Sequence, residues 1–229
     1  MHAETIQANA PLRSQRQVVI VDDHPIIRHG VAQTIRLEPD LVVGGEASSA
    51  AEALTILRSV HADLAVIDVS LNGTNGIELI KQIRSEHPHL PILVLSMHDE
   101  SLYAIRAIRA GAGGYIMKRE APEKLLTAVR KVLAGEIYMS ESQQTGLVTD
   151  PSQAPQDQAA AAIDALTDRE IEVLQLVGQG HGTRDIAMRL NLSAKTIETH
   201  RLNMKEKLEL KSAPELIRFA VNWVRGQCV

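Results

Sequence analysis

The chain has 229 residues, a formal net charge of −4, 45% hydrophobic residues, one cysteine and only five aromatics (three Tyr, one Phe, one Trp). That length holds one large domain or two small ones. The lone thiol excludes an internal disulfide framework and fits a reducing compartment, and no apolar run approaches the roughly 20 residues of a membrane span.

So few aromatics argue against a base-stacking surface for single strands. Charge divides about residue 163 into −5 before and +1 after, so nucleic-acid binding is not advertised in bulk and must rest on a local basic patch. The amino end, Met1 to Arg16, is polar and lacks the apolar segment of a secretory signal. A cytoplasmic protein with no membrane contact is expected.

In chain order, residues 1–16 read as a disordered tail. Val18 to Val21 is an apolar run ending in Asp22-Asp23, and Pro25 opens an amphipathic stretch to about Ile35. Leu41 to Val43 is a second strand and Ala50 to Leu57 a second helix. Leu64 to Ile67 runs straight into Asp68 and a turn-rich segment, Asn72 to Gly76, before a helix that stops ahead of Pro88. Ile92 to Ser96 is the fourth strand. A helix follows through Tyr103 to Ala110, the Gly111 to Gly114 break leads into Tyr115 to Lys118, and a last helix starts near Pro122.

Unbroken apolar runs bounded by turn residues are strands buried on both faces, as in a parallel sheet. Five strand–helix alternations over residues 17–136 predict a doubly wound, five-stranded parallel sheet with helices on both faces. From 137 to 163 the composition turns to Ser, Gln, Asp, Ala and Pro, which reads as a linker.

Residues 164–229 predict four helices. Thr167 to Glu170 is a capping box with Leu166 and Ile171 placed as a staple, and Gly178 or Gly180 ends that helix. Thr183 to Leu190 is a short helix, Asn191-Leu192 a turn, and Ser193 the cap of a helix to about Leu208. Ser212 to Glu215 is another capping box and opens the last helix, with Leu216, Ala220, Trp223 and Val224 packed inward. Two helices about a tight turn inside a small bundle make a helix-turn-helix.

Asp22, Asp23, Asp68, Ser96 and Lys118 all fall at carboxyl ends of predicted strands, which converge on one crevice in a doubly wound sheet. Taken singly, each has a plain reading: a cap for Asp23, a turn hydroxyl for Ser96, a solvated lysine for Lys118. Together they describe a site. Three carboxylates at close range need a cation, and Mg2+ suits an acid-rich crevice that must also receive phosphate oxygens. Asp68 is then a nucleophile for a phosphoryl group, with Lys118 and Ser96 as further partners for that group.

The segments Val19-Ile20-Val21-Asp22-Asp23-His24, Val66-Ile67-Asp68, Val94-Leu95-Ser96 and Gly114-Tyr115-Ile116-Met117-Lys118 resemble the receiver domain of two-component response regulators, a flavodoxin-like fold. The resemblance implies that Asp68 accepts a phosphoryl group from a sensor histidine kinase. It further implies that Asp23 binds Mg2+ directly, that Asp22 does so partly through water, and that the Ser70 backbone carbonyl completes the metal site. Ser96 and Tyr115 would form the switch pair, the tyrosine turning inward on activation. Receivers often carry Pro four residues after the aspartate; here Asn72 stands there.

Leu166 to Leu174, Asp185 to Leu190 and Lys195 to His200 resemble the four-helix DNA-binding domain of LuxR-type regulators. Together with a receiver this is the NarL/FixJ type, which implies double-stranded promoter DNA, RNA polymerase and an activated homodimer as partners. On the helix opened by Ser193, residues Ile197, Met204 and Leu208 share the inward face. Lys195, Thr196, Glu198, Thr199, Leu202, Asn203 and Lys207 are candidate DNA contacts, with Thr183 and Lys195 favoured for phosphate. Glu198 stands where the family commonly has a basic residue; an acid there can accept from cytosine N4. Two rival readings use the same residues. An aspartate-based phosphohydrolase would need a second acid where Ser70 stands, and an adaptor would bind proteins through the helical part.

Overall fold

The structure, a computed structural model, describes residues 15–71, 74–97, 100–139, 163 and 165–226. The tail expected at 1–16 lies outside these except for Gln15 and Arg16, as do Asn72 and most of the linker expected at 137–163. In chain order the elements are β1 (Arg16–Val21), α1 (Pro25–Arg36), β2 (Leu41–Ala47), α2 (Ala50–Ser59), β3 (Leu64–Asp68), β4 (Ser70–Leu71), β5 (Thr74–Asn75) and α3 (Gly76–Glu86). Next come β6 (Ile92–Ser96), α4 (Glu100–Arg109), β7 (Gly114–Met117) and α5 (Ala121–Leu133). The helical part contributes α6 (Asp168–Gly178), α7 (Thr183–Arg189), α8 (Ala194–Lys207) and α9 (Ala213–Gly226).

Five strands form one parallel sheet in the order β2-β1-β3-β6-β7. Strand β3 sits at the centre, and all five of its residues are buried. Its neighbours alternate sides, so the switch in strand order falls between β1 and β3, whose carboxyl ends carry Asp22 and Asp68. One apolar layer holds Val18, Ile20, Val66, Leu93 and Ile116 under α1 and α5. The opposite layer holds Val19, Val21, Ile67 and Val94 under α2, α3 and α4, and it continues without a break into the helical part through Ile163, Leu166, Ile171 and Leu174.

One element departs from expectation. Where a turn is predicted after Asp68, Ser70–Leu71 and Thr74–Asn75 pair as a small antiparallel ribbon. Gly76 follows at a position no side chain could occupy, since a Cβ there would sit 2.1 Å from the Asp68 carbonyl oxygen. The Gly76 N–H closes the ribbon onto Val69 O at 2.6 Å. Two-residue strands have no periodicity to read.

The helical part follows its local signals. Thr167 caps α6 with both halves of the capping box formed, and Gly180 takes φ +90° just past the helix end, the left-handed position that favours glycine. Ser193 caps α8 by accepting from Thr196 N, and Asn191 makes the turn at φ 50°. At α9 the Ser212 hydroxyl accepts from Glu215 N, but the Glu215 carboxylate turns to Lys211 N and not to Ser212 N.

The two parts meet along α6. The Arg106 guanidinium donates to Asp168 Oδ1 at 2.8 Å and to the carbonyls of Ile163 and Leu166 at 3.0–3.2 Å. Lys81 on α3 reaches Asp168 Oδ2 at 3.3 Å, and Tyr103 on α4 is buried with its hydroxyl 3.5 Å from Gln175 Oε1.

Candidate functional site

The carboxyl ends of β1, β3, β6 and β7 bring Asp22, Asp23, Asp68, Ser96 and Lys118 together, as the sequence predicts. Asp22, Asp68, Ser96 and Lys118 are all buried. Lys118 Nζ lies 2.7 Å from Asp22 Oδ2 and 2.7 Å from Asp68 Oδ2. It donates an aligned hydrogen bond to Asp68; toward Asp22 it acts through charge at close range and not through an aligned bond. Its backbone N–H donates to Ser96 O at 2.7 Å, tying β7 to the end of β6. The Ser70 N–H donates to Asp68 Oδ1 at 3.2 Å, so the chain after the strand wraps the carboxylate.

Burial pushes the Asp68 carboxyl up to about 6; Lys118 pulls it down and Asp22 pushes it further up. For Lys118, burial works against the charge, but Asp68 and Asp22 outweigh it and hold the ammonium above its ordinary value. Both groups are shifted upward, and perturbed groups clustered in a crevice at strand ends are the pattern of a functional site.

Asp23 does not cap α1: the N-cap is His24, with no side-chain bond to the helix. Its carboxylate instead faces the crevice. Asp22, Asp23 and Asp68 present oxygens that lie within 4.8 Å of one another and of a His24 ring nitrogen. Asp23 Oδ1 is shielded from solvent and has no hydrogen-bond partner. An anionic, oxygen-rich crevice with an unpartnered buried oxygen fits a hard divalent cation. His24 was not singled out by the sequence, although it directly follows the acid pair.

Tyr115 is fully buried, as is Tyr103. Burial raises the Tyr103 hydroxyl well above its usual range, with Glu172 adding to the effect. A cleft of about 480 Å³ lies between the crevice rim (Asp23, His24, Ser70) and α6, where Arg169, Glu172 and Gln175 face it.

On α8 the inward face is Ile197, Met204 and Leu208, all buried, and Lys195, Glu198, Thr199 and Leu202 are exposed. The Thr196 side chain packs on the Ser193 cap at 2.8 Å, the Thr199 hydroxyl donates to Lys195 O at 3.0 Å, and Asn203 is half-buried.

Two expected contacts are engaged elsewhere. Thr183, expected to bind phosphate, donates to Glu198 Oε1 at 2.6 Å and accepts from Arg201 at 2.9 Å. Lys207 points its ammonium at Glu170, 2.7 Å away, and stabilises the capping box of α6. Both follow from packing between helices that sequence periodicity does not encode.

Comparison with known proteins gives one answer over nearly the whole chain. The response regulator receiver domain model matches residues 18–130, and the model of bacterial regulatory proteins of the luxR family matches residues 164–220. The oxygen regulatory protein NreC of Staphylococcus epidermidis is 34% identical over 210 residues, covering 90% of this chain and 96% of NreC.

The chain belongs to the LuxR-type response regulators. Its folding pattern agrees with solved members of that family. RcsB from Salmonella enterica serovar Typhimurium, bound to promoter rprA in the presence of phosphomimetic BeF3−, aligns at a TM-score of 0.58 and 26% identity, covering 91% of this chain and 99% of RcsB. A structure of two RcsB dimers bound to two parallel DNAs aligns at 0.54 and 27%, covering 90% and 98%. The protein is thus a DNA-binding transcription regulator of the two-component type. No helix among the described residues is long and apolar enough to cross a membrane.

Proposed function

We propose that Asp68 is the phosphoacceptor and that its phosphorylation, in the cytoplasm and with Mg2+ held by Asp22, Asp23, Asp68 and the Ser70 carbonyl, controls promoter binding through α8. The observation that carries this is the convergence of three acids and Lys118 on one buried crevice at the strand ends. A bound divalent ion supplies positive charge to the incoming phosphoryl group. Asp68 is the nucleophile: a carboxylate oxygen forms the bond to phosphorus while the P–N bond to the kinase histidine breaks, and the imidazole keeps that electron pair. Lys118 follows the new negative charge, and the Ser96 hydroxyl donates to a phosphoryl oxygen.

The magnitudes suit a switch. Moving a two-state equilibrium from 1:99 to 99:1 takes about 5.5 kcal/mol, and charge-assisted hydrogen bonds contribute roughly 1.5–3 kcal/mol each. Two or three new contacts, from Ser96, Lys118 and a backbone N–H, meet that need; one does not.

Labelling with a small acyl phosphate and Mg2+ tests the assignment. Asp68→Asn abolishes it, Asp23→Ala blocks it through lost metal, and Asp22→Ala weakens it. Undiminished labelling of Asp68→Asn would overturn the reading. A single helix with five basic and three acidic residues between Lys195 and Lys211 binds DNA thinly, so a homodimer doubling contacts and site length is the DNA-bound form. The RcsB dimers on DNA support this. RNA polymerase is the partner at the promoter. An aspartate-based phosphohydrolase, by contrast, would turn over a generic phosphate ester, and Ser70 occupies the place its second acid requires.

A further inference from the structure

We propose that the contact between the receiver and α6 leaves α8 unmasked. One unphosphorylated copy then already engages half of a two-fold duplex site, and phosphorylation acts on the pairing of two copies instead of on access to the helix. This rests on the reading of α8 as the element that meets DNA.

Each neighbour of α6 takes a different face of it. At about 100° per residue, Asp168, Glu172, Gln175 and Gln179 fall on one stripe roughly 60° wide. This stripe is turned to the receiver. Asp168 meets Arg106 and Lys81, and the Tyr103 hydroxyl lies 3.5 Å from Gln175 Oε1. Glu172, Gln175 and Gln179 line the cleft opposite Asp23, His24 and Ser70. Glu170 falls on the far side of the helix, and there it meets Lys207 of α8 at 2.7 Å. Gly178, on the flank between them, lies against α9, where a Cβ would sit 2.4 Å from the Ala220 carbonyl oxygen. The receiver and α8 therefore lie on opposite sides of α6.

Exposure agrees with that placement. Ile197 and Met204 are buried against the bundle, whereas Lys195, Glu198, Thr199, Leu202 and Glu206 are exposed with the receiver docked. Besides α6, the interdomain cleft takes in Arg189 and Leu190 at the end of α7, and none of its described lining residues belongs to α8. The groove between α8 and α9 is lined by Glu198, Arg201, Leu202, Lys205, Ala213 and Leu216, with no described receiver residue among them.

An uncovered α8 is usable at once, but one copy with so thin a basic patch holds DNA weakly. Two paired copies engage the second half-site at an effective concentration in place of a bulk one, and affinity rises with no new contact to either half.

The test titrates full-length protein by fluorescence anisotropy, with and without acyl phosphate and Mg2+. Its probes are two duplexes cut from sites selected by the phosphorylated protein, one carrying both half-sites and one a single half-site. On the single half-site, unphosphorylated, phosphorylated and Arg106→Ala protein are expected to bind within about threefold of one another. Asp168→Asn, a smaller change at the same ion pair, serves if Arg106→Ala does not fold. On the double site, phosphorylation is expected to tighten binding at least tenfold. A single half-site bound at least tenfold tighter after phosphorylation, or by Arg106→Ala, means that α8 is masked in solution and overturns the inference. No gain on the double site overturns the role of pairing. If Lys195→Ala leaves phosphorylated protein unchanged on the double site, the reading of α8 itself fails and takes this inference with it.

Discussion

Arg106 and Asp168, 62 residues apart, form the ion pair that ties the helical part to the receiver: 2.8 Å between Nη1 and Oδ1, with both side chains largely shielded from solvent. Arg106 sits on α4, the helix that also carries Tyr103, and Asp168 opens α6; Arg106 engages two carbonyls ahead of α6 as well. While it holds, α6 faces the rim of the acidic crevice across the shared cleft.

Removing one partner of a buried, hydrogen-bonded charge pair is strongly destabilising to the contact, by about 3–5 kcal/mol when burial is complete. Arg106→Ala should therefore free the helical part. Small-angle scattering is expected to show a larger radius of gyration, and acyl phosphate should label Asp68 several-fold faster. A variant with unchanged size and labelling rate would mean that this contact does not shield the crevice in solution.

Asp68 also carries a stability signature. Its folded pKa of about 6 lies above the ordinary 3.8, so the group's stabilising contribution is full below the unfolded value and is lost as pH rises through about 6. At pH 7 the ionised carboxylate therefore costs the receiver roughly 1–3 kcal/mol. Without divalent ions, Asp68→Asn should raise the melting temperature by several degrees at pH 7 and by little at pH 4. Adding Mg2+ should narrow the difference at pH 7, because only the wild type gains full binding. A variant no more stable than the wild type at pH 7 would contradict the raised pKa.

Much of this was legible because burial on both faces leaves a plain mark: Leu64 to Ile67 can be read as a central strand from four consecutive apolar residues. The acids could be placed because strand ends converge in any doubly wound sheet, whatever the detailed packing. The Thr167 and Ser193 caps were legible for a local reason, since the bonding groups lie three residues apart. What could not be read depends on contacts between distant segments. Nothing in the pattern around Arg106 or Asp168 distinguishes them from solvated helix residues. Nor does Lys207 signal that it will meet Glu170 across 37 positions.

That Lys207–Glu170 contact gives the helical part a pH dependence of opposite sign to that of Asp68. Burial raises the Glu170 carboxyl, but Lys207 and the Thr167 backbone and hydroxyl outweigh it and hold it below the usual carboxylate range. Its contribution is present above the unfolded value near 4.5 and lost as pH falls through the lower folded value. Trp223, the chain's single tryptophan, reports on this part alone. Urea unfolding followed by its fluorescence should weaken from pH 5 to pH 3 in the wild type, and weaken less in Glu170→Gln. Lys207→Ala should cost about 1–3 kcal/mol at pH 7 by leaving the carboxylate without its cation. Parallel pH profiles for wild type and Glu170→Gln would rule the contact out as the cause.

On the surface of α8 proposed to meet DNA, Thr183 joins Arg201 to Glu198 across α7 and α8. With its carboxylate turned to Thr183, Glu198 adds negative charge to the face that must approach phosphates, and it holds a hydroxyl that could otherwise donate to one. Glu198→Ala should thus tighten binding to every sequence, more at 50 mM salt than at 200 mM, instead of changing preference at one base pair. Lys195 is exposed near the amino end of α8, so Lys195→Ala should weaken binding to all sequences and lower the salt slope by about one unit, the loss of one phosphate contact. Leu202 differs from both: it is 51% exposed on the outward face, apolar where the bundle does not need it, and suited to a thymine methyl. Leu202→Ala should alter preference at one or two base pairs by roughly 1–3 kcal/mol each. Titration of phosphorylated protein against a panel of single-base operator variants at two salt concentrations separates the three effects. If Glu198→Ala loses discrimination at a cytosine without gaining general affinity, its carboxylate reads the base after all, and if Leu202→Ala keeps the wild-type profile, that side chain does not touch the groove.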